Sequence, residues 1–199
     1  MSSPESDSAV IGVLALQGDY AAHIAALEEA GAKVLEVRSG SDLKLVDAMV
    51  IPGGESTVMG SLLIRFGFMD KFRNRILSGM PVFGTCAGLI LLAKDLEGKP
   101  QPGLGVLDVL VRRNAYGTQV DSFRSPLTTS ISACPVLEGV FIRAPKIVRA
   151  GVGVEILARQ GDDPVLVRQG NIVAATFHPE LIPGAGIHRW FLGLVHGSL

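Results

Sequence analysis

The chain has 199 residues, of which 48% are hydrophobic and 19% charged, a composition typical of one α/β domain with a full core. Its formal net charge of -1 gives no electrostatic argument for binding nucleic acid or an acidic membrane. It has two cysteines, too few for a disulfide framework, and no apolar run approaches the roughly 20 residues of a membrane span. The polar, acidic start is unlike a targeting signal. We therefore expect a cytosolic protein with a disordered tail over residues 1–8 and one domain over residues 9–199.

The first half of the chain alternates apolar strands with helical segments. Val10–Leu16 is almost continuously apolar, which is typical of a strand buried on both faces. Asp19 is a suitable N-cap for the helix that follows, and Gly31 a suitable end. The predicted elements are strand 10–16, helix 20–30, strand 33–37, strand 48–51 and helix 58–78. This order predicts parallel strands joined by right-handed crossovers.

The second half is richer in strands. Predicted strands cover 106–111, 127–131, 140–142, 152–158, 165–169 and 172–177, and a terminal helix covers 187–195. These strands are interpreted as mostly antiparallel additions, with pairings that the sequence does not determine. The predicted fold class is α/β: a single domain with a mostly parallel open sheet, helices on both faces, and added antiparallel strands in the second half.

Cys86 lies at the point where a short buried strand, Val82–Phe83, turns into a helix beginning near Ala87. Glycines at positions 84 and 88 flank it, as a tight strand–turn–helix elbow requires. The N–H groups and positive dipole end of the helix favour the thiolate, which is the nucleophilic form. The alternative is a small buried cysteine, but core packing does not require glycine on both sides. Cys86 is therefore the predicted nucleophile.

His178 ends the last buried strand and is followed by Pro179 and Glu180. Proline restricts the preceding residue to extended geometry, in which side chains two positions apart leave the same face. Glu180 can then orient one ring nitrogen while the other accepts the thiol proton. An ordinary surface turn is the alternative. The other histidines, at positions 23, 188 and 196, are interpreted as solvated or partly buried, and the cysteines and histidines lack metal-ligand spacing.

Glycine-rich or polar stretches end several predicted strands, at Gln17–Gly18, Pro52–Ser56, Thr85–Gly88 and His178–Glu180. Ligands of open α/β sheets bind beyond the carboxyl ends of the strands, so these stretches predict one site. The Gly54 and Ala87 N–H groups are the candidate oxyanion donors. No Gly-Lys-Ser/Thr ending is present, which argues against a phosphate loop. Gln17 is either a sensor of a partner or a plain turn residue.

With these motifs in this order, the chain resembles the class I (triad) glutamine amidotransferases, which have a flavodoxin-like fold. Among them it is most similar to the glutaminase subunits of pyridoxal 5'-phosphate synthase. The stretches that carry the resemblance are Leu16–Gly18, Pro52–Thr57, Phe83–Ile90, Arg113–Asn114, Gln119–Phe123, Phe141–Pro145 and Phe177–Glu180. Gln119–Phe123 and Ile142–Pro145 separate this family from other triad amidotransferases.

The resemblance implies hydrolysis of L-glutamine to L-glutamate and ammonia, which passes to a separate synthase subunit. It implies a catalytic triad of Cys86, His178 and Glu180, without metal or cofactor. It also implies glutamine contacts at Gly54, Glu55, Ser56, Arg113, Ile142 and Arg143. A cation such as Arg113 or Arg143 suits the substrate's α-carboxylate, although each arginine can instead serve a surface or subunit contact.

The sequence leaves three alternatives open. The chain can be another triad amidotransferase subunit, or a cysteine peptidase-like or deglycase-like enzyme of the same fold group. Enzymes of that second kind usually have a different acidic partner and lack the His-x-Glu pair. The third alternative is a non-catalytic regulatory module, against which the intact Cys86, His178 and Glu180 argue.

Overall fold

The computed structural model describes residues 9–113 and 122–198. The predicted tail, Asn114 and the Gln119–Asp121 part of the family motif lie outside these ranges. The described strands, in chain order, are β1 Val10–Leu14, β2 Lys33–Val37, β3 Ala48–Ile51, β4 Val82–Thr85, β5 Ala93–Leu96, β6 Leu107–Arg112, β7 Phe123–Thr129, β8 Leu137–Phe141, β9 Lys146–Ala150, β10 Glu155–Gln160, β11 Asp163–Gln169 and β12 Ile172–Ala175.

A nine-stranded sheet forms the centre of the molecule, in the order β2-β1-β3-β4-β12-β11-β10-β7-β8. The strands from β2 to β12 run parallel, with Gly84 of β4 opposite both Ile51 of β3 and Ala174 of β12. The strands from β11 to β8 add to this half in antiparallel pairs. The predicted fold class is confirmed. The pairing of β4 with β12 brings two chain segments that are far apart in sequence to the middle of the sheet.

The helices cover both faces of this sheet. They are α1 Tyr20–Glu29, α2 Ser56–Arg65, α3 Met69–Leu77, α4 Ala87–Leu92 and α5 Gly186–Val195. The helices α2, α3 and α4 contribute buried apolar side chains, among them Met59 and Phe72, to one cluster. The helices α1 and α5 contribute buried apolar side chains, among them Leu27 and Phe191, to a second cluster. The two clusters lie on opposite faces of the sheet and together form the core. Each buried aliphatic or aromatic side chain contributes roughly 1.5–3 kcal/mol to the stability of the fold.

The single helix predicted over 58–78 is wrong, because the structure has two helices there. Gly67 adopts a φ of +67°, outside the helical region, and the N–H of Phe68 donates to the Leu63 carbonyl at 3.1 Å. This is how glycine commonly ends a helix. The apolar periodicity continues across the break, since α3 buries Met69, Phe72 and Ile76. The break was therefore not visible in the hydrophobic pattern.

A second sheet of three strands, in the order β5-β6-β9, packs beside the main one. The predicted helix after Cys86 ends at Leu92, and Ala93 begins β5. The strand β9 was not predicted, since only one of its five residues, Ile147, is buried. This small sheet carries Arg113, which directly follows β6. Within the described ranges, no helix is long and apolar enough to cross a membrane.

Candidate active site

A cavity of about 550 Å³ opens at the carboxyl ends of the central strands. Eight of the ten predicted site residues line it: Gly54, Glu55, Ser56, Cys86, Arg113, Ile142, Arg143 and His178. Glu180 and Ala87 do not line it. Glu180 lies behind His178, and Ala87 is buried in the first turn of α4. The stretches that follow β1, β3, β4 and β12 therefore meet at one place, as predicted for a parallel sheet.

Cys86 lies between β4 and α4 with φ = 49° and ψ = -100°. Such a positive φ is uncommon for a residue with a side chain and is held only where the surroundings enforce it. The flanking glycines are part of that enforcement. A Cβ on Gly84 would lie 2.6 Å from Cδ1 of Leu92, and a Cβ on Gly88 would collide with the Ile51 carbonyl oxygen. The elbow thus needs glycine at both positions, for the steric reason that the sequence suggested.

His178 is the third residue after β12, and its N–H donates to the Val140 carbonyl at 2.8 Å. Its Nδ1 lies 2.7 Å from Oε1 of Glu180, whose side chain is fully buried. The predicted geometry is wrong in one respect. Glu180 does not continue an extended segment but lies in a 3-10 turn over Pro179–Leu181. The turn still brings the carboxylate back to the imidazole.

Two opposing effects set the charge of His178. Burial lowers its pKa, but the hydrogen bonds and charges of Cys86 and Glu180 more than compensate and raise the pKa to about 10. Nearby negative charge favours the imidazolium, so His178 holds a proton at neutral pH between the sulfur and the carboxylate. A thiolate beside an imidazolium is a nucleophile that is already activated.

Two further histidines lie behind the site, and the interpretation of them as solvated or partly buried is wrong. His23 of α1 and His188 of α5 are both fully buried. Nδ1 of His23 lies 2.9 Å from Nε2 of His188, and Nε2 of His23 lies 3.0 Å from Oγ1 of Thr85 and 3.3 Å from Oε2 of Glu180. Helical spacing was the missed signal, because His23 is four residues before the buried Leu27. His196 is exposed, as predicted.

The loop after β3 is held by Gln17. Its Oε1 accepts a hydrogen bond from the Glu55 N–H at 2.7 Å, and the Gly53 carbonyl accepts one from the Asp19 N–H at 3.2 Å. Gly54 within this loop has φ = 155°. Gln17 therefore has a structural contact with the candidate oxyanion loop and is not a plain turn residue.

The other end of the cavity is charged. Glu55 caps α2 by accepting from Thr57, and this hydrogen bonding, together with Arg113 and Arg143, lowers the pKa of Glu55. Gln101 was missed because it lies in a Gly/Pro-rich loop. Its Oε1 accepts from Nη1 of Arg113 at 2.5 Å and from Oγ of Ser56 at 3.3 Å. Two guanidinium groups and one ionised carboxylate suit a zwitterionic ligand.

Among residues 9–113 and 122–198, no cluster of three or more His, Cys, Asp and Glu side chains is arranged to hold a metal ion. The two free cysteines are both buried and belong to different places, since Cys134 donates weakly to the Gly186 carbonyl at 3.5 Å. The chemistry of the cavity therefore depends on Cys86 and His178, with Glu180 behind them.

Comparison with known proteins assigns the chain to a family. Residues 13–196 match the model of the SNO glutamine amidotransferase family. The chain belongs to this family.

Relatives of this chain include two proteins named pyridoxal 5'-phosphate synthase subunit PdxT. The one from Parafrankia sp. (strain EAN1pec) is 51% identical over 95% of this chain and 94% of the relative. One from Thermus thermophilus is 50% identical over 93% of this chain and 97% of the relative. The resemblance predicted from the sequence is confirmed.

Solved structures place the family member in the same fold. One glutamine amidotransferase structure matches with a TM-score of 0.89 at 49% identity, covering 94% of this chain and 98% of the other. The PurLQS structure from Thermotoga maritima matches with a TM-score of 0.75 at 16% identity, covering 96% of this chain and all of the other. At that identity the second match speaks for the fold alone.

Proposed function

We propose that this protein hydrolyses L-glutamine to L-glutamate and ammonia, and that it supplies the ammonia to a separate synthase subunit that makes pyridoxal 5'-phosphate. The observation that carries the proposal is His178, which lies 2.7 Å from the buried Glu180 on one side and interacts with Cys86 on the other. This arrangement stands in a chain whose relatives at about half identity are named as PdxT subunits. Family and geometry therefore support one reaction.

In the proposed mechanism, the Cys86 thiolate attacks the side-chain amide carbon of glutamine and forms a tetrahedral oxyanion. His178 donates its proton to the amide nitrogen, which leaves as ammonia, and a γ-glutamyl thioester remains on Cys86. His178, now neutral, takes a proton from water, which attacks the thioester. Collapse of the second tetrahedral species expels the Cys86 thiolate beside the His178 imidazolium, and the released γ-carboxyl group gives its proton to ammonia or solvent as glutamate leaves. Every group in the cycle is a protein group or water.

Backbone N–H groups of Gly54 and Ala87 are the proposed oxyanion donors. Ala87 is the first residue of α4, directly after the nucleophile, which is the usual place for one such donor. Gly54 belongs to the loop whose next residue, Glu55, is hydrogen-bonded to Gln17. Removing one donor of this kind typically costs about 10²–10³ in turnover.

The substrate's α-groups are assigned to the charged end of the cavity. Arg113 and Arg143 are proposed to bind the α-carboxylate, and the ionised Glu55 to face the α-ammonium group. Ser56 and Ile142 complete the proposed contacts. Recognition of both charges would distinguish free glutamine from a glutamine within a peptide, which lacks them.

The partner is proposed to be the ammonia-consuming synthase subunit, in a hetero-oligomeric complex in the cytosol. We expect the isolated chain to be a weak glutaminase that is activated when the partner binds, since ammonia released without an acceptor wastes glutamine. A turnover number that saturating partner leaves unchanged would contradict this expectation.

The test is ammonia release from glutamine, with and without a synthase subunit. Cys86→Ala should reduce the rate by at least about 10³-fold, because it removes the nucleophile. Cys134→Ala is the matched control, since Cys134 is also a buried free cysteine but does not line the cavity. Wild-type ammonia production by Cys86→Ala would refute the mechanism.

A further inference from the structure

We propose that His23 is a positioning residue for the triad: its Nε2–H donates to Oε2 of Glu180 and so fixes the carboxylate that orients His178. The inference rests on the proposed function of the triad and adds a residue to it. Its direct evidence is the juxtaposition of His23 with the carboxylate oxygen that His178 does not use.

The two oxygens of Glu180 have different surroundings. Oε1 is 2.7 Å from Nδ1 of His178, whereas Oε2 is buried and has no partner of standard hydrogen-bond geometry within the described part of the chain. The ring nitrogen facing Oε2 is Nε2 of His23, at 3.3 Å. A buried carboxylate oxygen without a hydrogen-bond donor is energetically costly, and this cost favours a hydrogen bond from His23 to Oε2.

The proton positions follow from the contacts of both ring nitrogens. If His23 carried its proton on Nδ1, the lone pair of Nε2 would face the carboxylate and repel it. With the proton on Nε2, His23 donates to Glu180 and to the Thr85 hydroxyl, and Nδ1 accepts from Nε2–H of His188 at 2.9 Å. Nδ1 of His188 is then a bare lone pair. It has no hydrogen-bond partner among the described residues, which suits an acceptor better than a donor.

The charges of the cluster agree with this order. Burial lowers the pKa of His23 well below its usual value, and the neighbouring His188 and His178 lower it further. Burial also lowers the pKa of His188 to about 4. Both residues are therefore neutral donors, and the positive charge of the cluster is on His178. A neutral donor orients Glu180 without competing for the negative charge that stabilises the imidazolium.

The test compares three variants of the full chain. His23→Leu has a similar volume but no donor, and His23→Gln keeps a donor and an acceptor near the same places. His188→Leu removes the donor behind His23. We expect kcat of His23→Leu to fall about 10–100-fold, as for other outer contacts that orient a reacting group, with KM changed less than about threefold. His23→Gln should restore most of the loss, and His188→Leu should lower kcat less than His23→Leu does.

A second readout does not depend on turnover. The rate at which iodoacetamide alkylates Cys86 reports the thiolate, and the midpoint of its pH profile reports how well the His178 imidazolium stabilises that thiolate. Without the His23 contact Glu180 stabilises the imidazolium less well, so the midpoint of alkylation in His23→Leu should move up by about one pH unit. An unchanged midpoint together with an unchanged kcat would overturn the inference, even if the variant is less stable.

Failure of this inference can be told apart from failure of the proposed function. If the wild-type chain with its partner releases no ammonia but the alkylation midpoint still shifts, the contact is correct and the reaction is wrong. If ammonia is released and His23→Leu behaves as the wild type, the reaction is correct and the inference is wrong. If His23→Leu does not fold, the other two variants provide the test. An alkylation midpoint equal to wild type in His23→Gln, together with a shifted midpoint in His188→Leu, supports the inference. Any other combination counts against it.

Discussion

Replacing His188 by leucine should make the protein less sensitive to acid. His188 is fully buried between α5 and the sheet, with its ring 6.0 Å from that of Phe83 and 5.2 Å from that of His23. In the folded state it stays neutral, because burial lowers its pKa to about 4. The unfolded chain binds a proton there near the ordinary histidine pKa of about 6.5. Acid therefore favours the unfolded state.

The two pKa values give the size of the effect. Between pH 7 and pH 5 the unfolded chain gains a proton at His188 that the folded chain does not, which lowers the free energy of unfolding by roughly 2 kcal/mol. Below pH 4 the loss is complete at roughly 3 kcal/mol. His178 acts in the opposite direction, because its pKa is raised. Its stabilising effect is complete below about pH 6.5 and is lost as the pH rises through about 10.

The assay is urea unfolding at pH 7 and pH 5, for the wild type and His188→Leu. With a slope of about 2 kcal/mol per molar urea, the loss of roughly 2 kcal/mol moves the midpoint by about 1 M. We expect the variant to lose about 1 M less than the wild type on acidification, whatever its stability at pH 7. His196→Leu is the matched control, since that histidine is exposed. The same pH dependence in wild type and His188→Leu would refute the argument.

Three further predictions concern the site and the core. Glu180→Gln should lower the pKa of His178, because the neutral amide stabilises the imidazolium less; the alkylation midpoint of Cys86 should rise, and an unchanged midpoint would speak against the assigned role of the carboxylate. Gly88→Ala should abolish activity or folding, since the added methyl group collides with the Ile51 carbonyl, and a fully active variant in the ammonia assay would show that the elbow can relax. Phe191→Ala should reduce the free energy of unfolding by about 3–5 kcal/mol by leaving a cavity among fully buried side chains, which urea unfolding measures; a loss below about 1 kcal/mol would mean that the core collapses around the gap.

The parallel half of the fold and the place of the site were predictable, because their signals are local. At Cys86 a buried strand, a glycine and a polar residue follow one another along the chain. The topology of the parallel strands then determines where this stretch meets those that follow the other strands. The pairing of β4 with β12 required no more than this rule. The predicted nucleophile and its candidate partner therefore lie together although 92 positions separate Cys86 from His178.

The rest depended on contacts between distant segments. The strand β9 buries one side chain and is held by its pairing with β6, which no local pattern reveals. The break at Gly67 interrupts a helix without interrupting its apolar periodicity. His23 was misread because a histidine on a helix is usually exposed, whereas this one is buried by α5 and the turn that contains Glu180. The sequence shows its neighbours on the apolar face of α1, but it does not show its partners His188 and Glu180.

The backbone of Cys86 has one more consequence. Its φ of 49° would suit glycine better than any residue with a side chain, and held strain of this kind costs about 1–3 kcal/mol. A Cys86→Gly variant should therefore be more stable to heat than the wild type but unable to cleave an amide. Selection for thermal stability alone would therefore favour glycine at position 86. The cysteine found there indicates selection for a reactive thiol that outweighs the cost in stability.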